Sequence, residues 1–248
     1  MTQRFATTLV TGDGLRLSVR GLLAADPVAT VVVVHGFTAS ASCPHVGELA
    51  GTLHALGYDV LTYDARGHGS SDGESTLGDH ERHDVEAAVA YARERTPRVV
   101  IVGASMGAIA ALRYAVTDSG LAGLVAVSCP ARWRVPRNPR GVPAAAMTRT
   151  PVGRRLVEHL AGVRVAARWT NPPPPLALAP RLAVPTVFVH GAQDRFVPVH
   201  DSALLHDAAP GPKRLAVVAD LGHAFGPSAL GTIAESVEWV LAARAVSR

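Results

Sequence analysis

The residues Gly103-Ala104-Ser105-Met106-Gly107 carry the clearest chemical signal in this 248-residue chain. They lie between Val99-Val100-Ile101-Val102, a run typical of a buried strand, and a helical pattern that begins at Met106. A serine at such a junction must take a sharp, strained turn; flanking glycines remove the side chains that would clash there and leave Oγ exposed. Ser105 is therefore the candidate nucleophile of an elbow. Its hydroxyl is almost wholly protonated at neutral pH, so it needs an adjacent base, and the base needs a third group to fix its tautomer and stabilise the imidazolium. His35, His68 and His190 lie at strand ends beside glycine, where a ring more often organises hydrogen bonds than transfers protons. Asp64 and Asp72 read as loop carboxylates, and Ser128 and Cys129 as ordinary strand-end residues.

An elbow needs a parallel strand before it and a helix after it, and the rest of the chain supplies that setting. Two alternating segments, Arg4 to Val10 and Leu15 to Leu22, flank Gly12-Asp13-Gly14 and predict an antiparallel hairpin. The β-branched run Thr30 to Val34 predicts a strand buried on both faces. Helical spacing from Pro44 to Leu56 follows, then strand Tyr58 to Tyr63, helix Asp79 to Arg95, strand Arg98 to Val102, helix Met106 to Val116 and strand Leu121 to Val127. Alternation resumes with strand Thr186 to His190, helix Val199 to Ala208, strand Arg214 to Ala219 and helix Ser228 to Arg244. Strands alternating with helices imply right-handed β-α-β units and a mostly parallel sheet covered on both faces. Between Pro130 and Pro185 the periodicity is irregular, with one helix expected from Pro151 to about Trp169. An insertion within one sheet is the simplest account: residues 1–129 as the first part of the core, 130–184 as an inserted subdomain, 185–248 as the second part.

At this point the chain resembles the α/β-hydrolase superfamily, and more narrowly its serine esterase and lipase-like members, over nearly everything outside the insertion. Val31 to Phe37 resembles the family's third strand ending in His-Gly-x. Asp64-Ala65-Arg66-Gly67-His68-Gly69-Ser70-Ser71 is similar to its D-x-R-G-x-G-x-S loop, Gly191 to Pro198 to its acid-bearing loop, and Leu221-Gly222-His223 to its histidine loop. The resemblance implies Ser105 as nucleophile, His223 as base and Asp194 as the orienting acid, in the chain order usual for this fold. It also assigns the oxyanion donors to the backbone N–H groups of Phe37 and Met106. Ala104 and Ala108 depart from the common G-H-S-M-G-G elbow, which loosens assignment to a subgroup. The insertion stands where the family carries a cap, the part that lines the substrate pocket.

Composition narrows the rest. With 48% hydrophobic and 18% charged residues the chain can bury a large core. The longest stretch free of Asp, Glu, Lys and Arg, Pro27 to Gly47, is broken by His, Pro, Ser and Thr and cannot span a bilayer as a helix. The first residues lack a basic leader feeding an apolar run, and Cys43 and Cys129 have neither disulfide-framework nor metal-ligand spacing, so a cytoplasmic location is expected. Neither metal nor organic cofactor is needed by the implied mechanism. Between Ala131 and Arg181 ten arginines face Glu158 alone, a balance of +9 that leaves −5 for the rest of the +4 chain. Such a segment suits an anionic ester or carrier, although with Lys213 the only lysine a solvated arginine-rich surface is the simpler reading. No stacking aromatics interleave the arginines, which argues against nucleic acid. Apolar cap residues, among them Val135, Val142, Met147, Val152, Leu156, Val157, Leu160, Val163, Trp169 and Leu176, are expected to roof an apolar pocket. The expected function is hydrolysis of carboxylic esters of small to medium hydrophobic groups through an acyl-enzyme, with an acyl thioesterase or a small-molecule receptor on the same fold as alternatives.

Overall fold

A run of five β-branched residues needs cover on both faces, and Thr30–Val34 (β3) receives it. The computed structural model describes residues 3–133, 147–168 and 170–246. Gln3–Val10 (β1) and Arg16–Leu23 (β2) form an antiparallel hairpin, and β2 pairs antiparallel with Asp59–Tyr63 (β4). From β4 onward all pairings are parallel, through Val99–Ala104 (β5), Gly123–Val127 (β6), Thr186–Gly191 (β7) and Lys213–Val218 (β8). Among the described residues the sheet has eight strands in the order β1-β2-β4-β3-β5-β6-β7-β8.

Successive residues of a strand point to opposite faces, and the core divides accordingly. Val32, Val34 and Ile101 pack with Val85 and Val89 of Glu81–Arg93 (α2) and Leu112 of Met106–Ala115 (α3). Val31, Val33, Val100 and Val102 pack on the other face with Leu49 and Leu53 of Pro44–Ala55 (α1). Val237 and Val240 of the C-terminal helix join them there.

Strands β6 and β7, which flank residues 130–184 in sequence, pair directly with each other. Besides a single helical turn at Pro175–Leu178 that runs into a 3-10 turn at Ala179–Arg181, these residues form the helix Pro151–Ala161 (α4), which starts at Thr150, whose hydroxyl accepts the Gly153 N–H at 3.0 Å. It ends eight residues before the expected Trp169, because Gly162 adopts the left-handed conformation (φ 64°) and closes the last turn onto Glu158 O. Beyond it Val165 forms a parallel bridge with Ser75. The expected apolar roof is corrected in part. Gly153 and Val157 face inward, whereas Val152, Leu156 and Leu160, four residues apart, are 76%, 45% and 67% exposed. Val135, Val142 and Trp169, like Arg134, Arg137 and Arg140, fall outside the described residues. The later elements are Val199–Ala208 (α5) and Leu230–Val246 (α6), the latter preceded by a single 3-10 turn at Pro227–Ala229.

Two buried groups hold the loops that leave β3 and β4. Arg66 donates to Asp84 from Nε (2.8 Å) and to Asp13 from Nη1 (2.7 Å), joining the hairpin turn to α2. His35 donates from Nδ1 to Gly36 O (2.8 Å), and its Nε2 accepts the Ala65 N–H (2.9 Å), which fixes a neutral tautomer. Burial, with the His68 ring beside it, lowers the His35 pKa from 6.5 to about 4. In the unfolded chain the ring gains a proton as pH drops below 6.5, whereas the folded protein resists until about 4. The stabilisation is therefore complete above the first value and lost as pH falls toward the second, a swing of about 3 kcal/mol. Urea midpoints should fall between pH 7 and 4, and less steeply for His35→Gln; identical slopes would show that His35 takes up no proton on unfolding.

Candidate active site

Ser105 sits between β5 and α3 at φ 52° and ψ −113°, a strained conformation for a residue with a Cβ. Its N–H is bonded to Val127 O of β6 at 2.9 Å, and its own carbonyl accepts the Ile109 N–H at 3.0 Å. The flanking glycines are required by close approach. A Cβ on Gly103 would stand 2.6 Å from Gly107 O, and one on Gly107 would collide with the Val34 and His35 carbonyl oxygens. Ala104 and Ala108, where the elbow departs from its usual form, are fully buried in the core.

The structure brings the three proposed residues into one hydrogen-bonded row. His223 Nε2 lies 2.9 Å from Ser105 Oγ, and His223 Nδ1 lies 2.7 Å from Asp194 Oδ2. Asp194 occupies the turn after β7, where its Oδ1 accepts the N–H groups of Phe196 (2.8 Å) and Val197 (2.9 Å). Burial alone would raise its pKa, but hydrogen bonds from His190, His223 and the Val197 amide outweigh it and hold the carboxyl well below the usual carboxylate range. The Phe196 ring stands 5.3 Å from the His223 ring.

Phe37 follows the end of β3, and Met106 is the first residue of α3, where helix N–H groups have no intrahelical acceptor. Gly36 packs against the elbow, since a Cβ there would lie 3.5 Å from Ser105 Cβ. Among the described residues the Phe37 N–H is bonded to no acceptor. Phe37 lines the space in front of Ser105, and Met106 follows Ser105 directly in the chain.

That space is a cleft of about 1530 Å³ walled by Phe37, Val46, Leu77, Met147, Val157 and Phe225. Cys43 and His45 also border it, as do Arg132 and Arg195. Arg154 and Arg155 do not; Arg154 bonds to Arg149 O instead. A second cavity of about 390 Å³ is lined by Glu74, Thr76, Asp79, His80, Arg168 and Thr170 and not by Ser105. Among the described residues no cluster of His, Cys, Asp and Glu is arranged to hold a metal ion, and no helix is long and apolar enough to cross a membrane.

Of the competing histidines, none is bonded to Ser105: His35 and His68 bond to loop carbonyls, and His190 contacts Asp194. Asp64 accepts the Ala41 and Ser70 N–H groups and Asp72 that of Arg16. Sequence reasoning missed Ser128. It adopts φ 49° and its Oγ accepts the Ala224 N–H at 3.2 Å, which anchors the loop carrying His223. It also missed Glu81, whose buried carboxylate accepts from Ser75 Oγ, Thr76 N, Thr76 Oγ1 and Gly78 N, fixing the turn that presents Leu77 to the cleft. Both roles depend on loop conformations with no residue-type signature.

Comparison with known proteins gives the family. The family model described as serine aminopeptidase S33 (Hydrolase_4) matches residues 25–169. The uncharacterized protein YqkD of Bacillus subtilis is 29% identical over 221 residues, covering 81% of this chain; the aligned chain spans only 66% of that protein's length. Among solved structures, the Pyrococcus furiosus esterase Pf2001 aligns with a TM-score of 0.75 at 22% identity, over 97% of this chain and 92% of its own. Est1E of Butyrivibrio proteoclasticus, solved with ferulic acid, aligns with a TM-score of 0.69 at 19% identity, over 96% and 100%. At these identities the structures speak to fold alone, while the family model covers more than half of the chain. The chain belongs to the serine aminopeptidase S33 (Hydrolase_4) family of α/β-hydrolases.

Proposed function

We propose that this protein is a serine hydrolase that cleaves carboxylic esters of small to medium hydrophobic acyl or alkyl groups through an acyl-enzyme. The observation that carries the proposal is the unbroken line from Ser105 Oγ through His223 to Asp194, opening into a cleft with apolar walls. In this reading Ser105 Oγ attacks the ester carbonyl while His223 Nε2 takes its proton. Asp194 keeps the other ring proton on Nδ1 and stabilises the imidazolium. The carbonyl oxygen becomes an oxyanion and accepts the Phe37 and Met106 N–H groups, the second reinforced by the partial positive charge at the start of α3. Collapse breaks the ester bond as His223 returns the proton to the departing alcohol. Water then repeats the attack on the acyl group with His223 again as base, freeing the acid and Ser105.

The same machinery serves oxygen esters and thioesters, and the family's description adds amides of amino-terminal residues. Amides expel a poorer leaving group and need recognition of an ammonium. Phe37, Val46, Leu77, Met147, Val157 and Phe225 give the cleft apolar walls, and Arg132 and Arg195 on its border oppose an ammonium, while Asp201 there accepts the Ala131 N–H; this balance supports the ester reading. A receptor role would leave Ser105 in place without turnover.

Three measurements test the proposal. Ser105→Ala should lower kcat for a p-nitrophenyl butyrate assay by at least about 1000-fold with an unchanged melting temperature, and a serine-directed phosphonate should label Ser105 in the wild type. Wild-type turnover in the purified variant would refute the mechanism. The kcat/KM of the wild type should decline on the acid side, because protonated His223 cannot accept the serine proton. His223→Ala should abolish that limb together with activity, while His68→Ala keeps it; loss of the limb in the latter would move the base to His68. Finally, kcat/KM should rise with acyl length from acetate to medium chains, and oxygen esters should exceed matched thioesters and aminoacyl anilides. A preference for either of the last two would replace the ester assignment with a thioesterase or aminopeptidase one.

A further inference from the structure

His223 is not the only imidazole on Asp194. At the end of β7, His190 is fully buried, and its Nε2 stands 3.4 Å from Asp194 Oδ2, the oxygen that also meets His223 Nδ1 at 2.7 Å. The same Nε2 lies 3.0 Å from Val197 O, and His190 Nδ1 lies 2.6 Å from Ser202 Oγ in the first turn of α5. These contacts decide where the proton sits. Val197 O and Asp194 Oδ2 are both acceptors, so a bare Nε2 lone pair would be repelled by each; Nε2 must carry the hydrogen. Nδ1 is then free to accept the Ser202 hydroxyl proton. Ser202 thus fixes the tautomer from one side of the ring, and the other side presents a single N–H to the Val197 carbonyl at 3.0 Å with the carboxylate oxygen 3.4 Å away.

We infer that His190 is a positioning residue for Asp194: its Nε2–H fixes the orientation of the carboxylate that aligns His223. The Ala192 and Gln193 N–H groups tie the backbone of the acid turn to Val218 O and Leu221 O, which leaves the direction of the carboxylate itself to be set. Oδ1 is held by the Phe196 and Val197 amides of the same turn, which restrain the carboxylate relative to its own loop. His190 belongs to the sheet and therefore ties the turn to the rigid scaffold that also carries Ser105. Gly191 completes the arrangement, since a Cβ there would collide with the Leu221 and Gly222 carbonyl oxygens and push the His223 loop away. Ser202, in turn, is fully buried and comes from a different element, so ring, turn and helix are locked together.

The inference rests on the reading of Asp194 as the acid of a serine hydrolase, and a double-mutant cycle separates the two. His190→Ala should lower kcat about 10- to 100-fold with KM little changed, and should shift the low-field proton resonance of the His223–Asp194 hydrogen bond. His190→Gln, whose amide nitrogen reaches the place of Nε2, should recover most of the loss. In an Asp194→Asn background His190→Ala should add almost nothing. A folded His190→Ala protein with wild-type kcat, or a loss that remains fully additive to Asp194→Asn, would overturn the inference. If His190→Ala does not fold, Ser202→Ala frees the ring at Nδ1 and should show the same resonance shift with a smaller loss of kcat; no change in either overturns the inference. If Asp194→Asn alone leaves kcat intact, the reading of the site fails first and the role of His190 falls with it.

Discussion

The backbone crossing at Ser105 is the constraint from which the rest of the site follows. For Oγ to stand clear of the sheet, α3 must start against the carbonyls of Val34 and His35, and the Ser105 N–H must reach Val127 O. Three neighbouring strands, β3, β5 and β6, therefore have to be in register before the elbow can exist. The strained turn costs about 1–3 kcal/mol, and the fully buried strand before it and the largely buried helix after it supply the cohesion that sustains it. Because the strands around Ser105 are parallel, their carboxyl ends lie at one edge, which is where Phe37, Ser105 and Asp194 are found.

Each loop at that edge is held by a buried or half-buried ionised or polar side chain that receives backbone N–H groups. Asp194 takes two amides of its own turn, Asp84 takes the Arg66 amide together with its guanidinium, Asp64 takes Ala41 and Ser70, and Glu81 takes Thr76 and Gly78. Leu77, which lines the cleft, adopts φ 57° because the bonds on either side of it are anchored this way. Irregular loops lack the ladder that satisfies strand amides, and a carboxylate offers several acceptor sites at once. The same charges that shape the cleft thus stop it from relaxing.

How much of this was legible in the sequence depends on whether a residue's role is local. The elbow, the strand runs at Thr30 and Val99 and the helix at Val199 could be read because glycine, β-branching and apolar spacing act over a few neighbours. The Ser105, Asp194 and His223 assignments came from motif resemblance, and the distances among them are a property of the folded edge. The helix expected as far as Trp169 ends at Ala161, because Gly162 takes the left-handed conformation and stops it. The outward turn of Val152, Leu156 and Leu160 was invisible because periodicity shows that a helix has an apolar face without showing how much of it is covered. The roles of Ser128 and Glu81 are not legible because the partner of the first is a main-chain group far away in the chain and those of the second are main-chain and hydroxyl groups of an irregular turn.

The bridge between Ser75 and Val165 has a consequence for how such a protein can diversify. At this seam Ser75 N–H bonds to Arg164 O, Ala166 N–H to Ser75 O and Arg164 N–H to Gly67 O, all main chain to main chain. Leu176 N–H likewise bonds to Ala131 O. Such contacts ignore side-chain identity and are lost outright only where proline removes the hydrogen. Side chains that take no part in this seam, the exposed Val152, Leu156 and Leu160 among them, can therefore be rewritten while the seam itself keeps its shape.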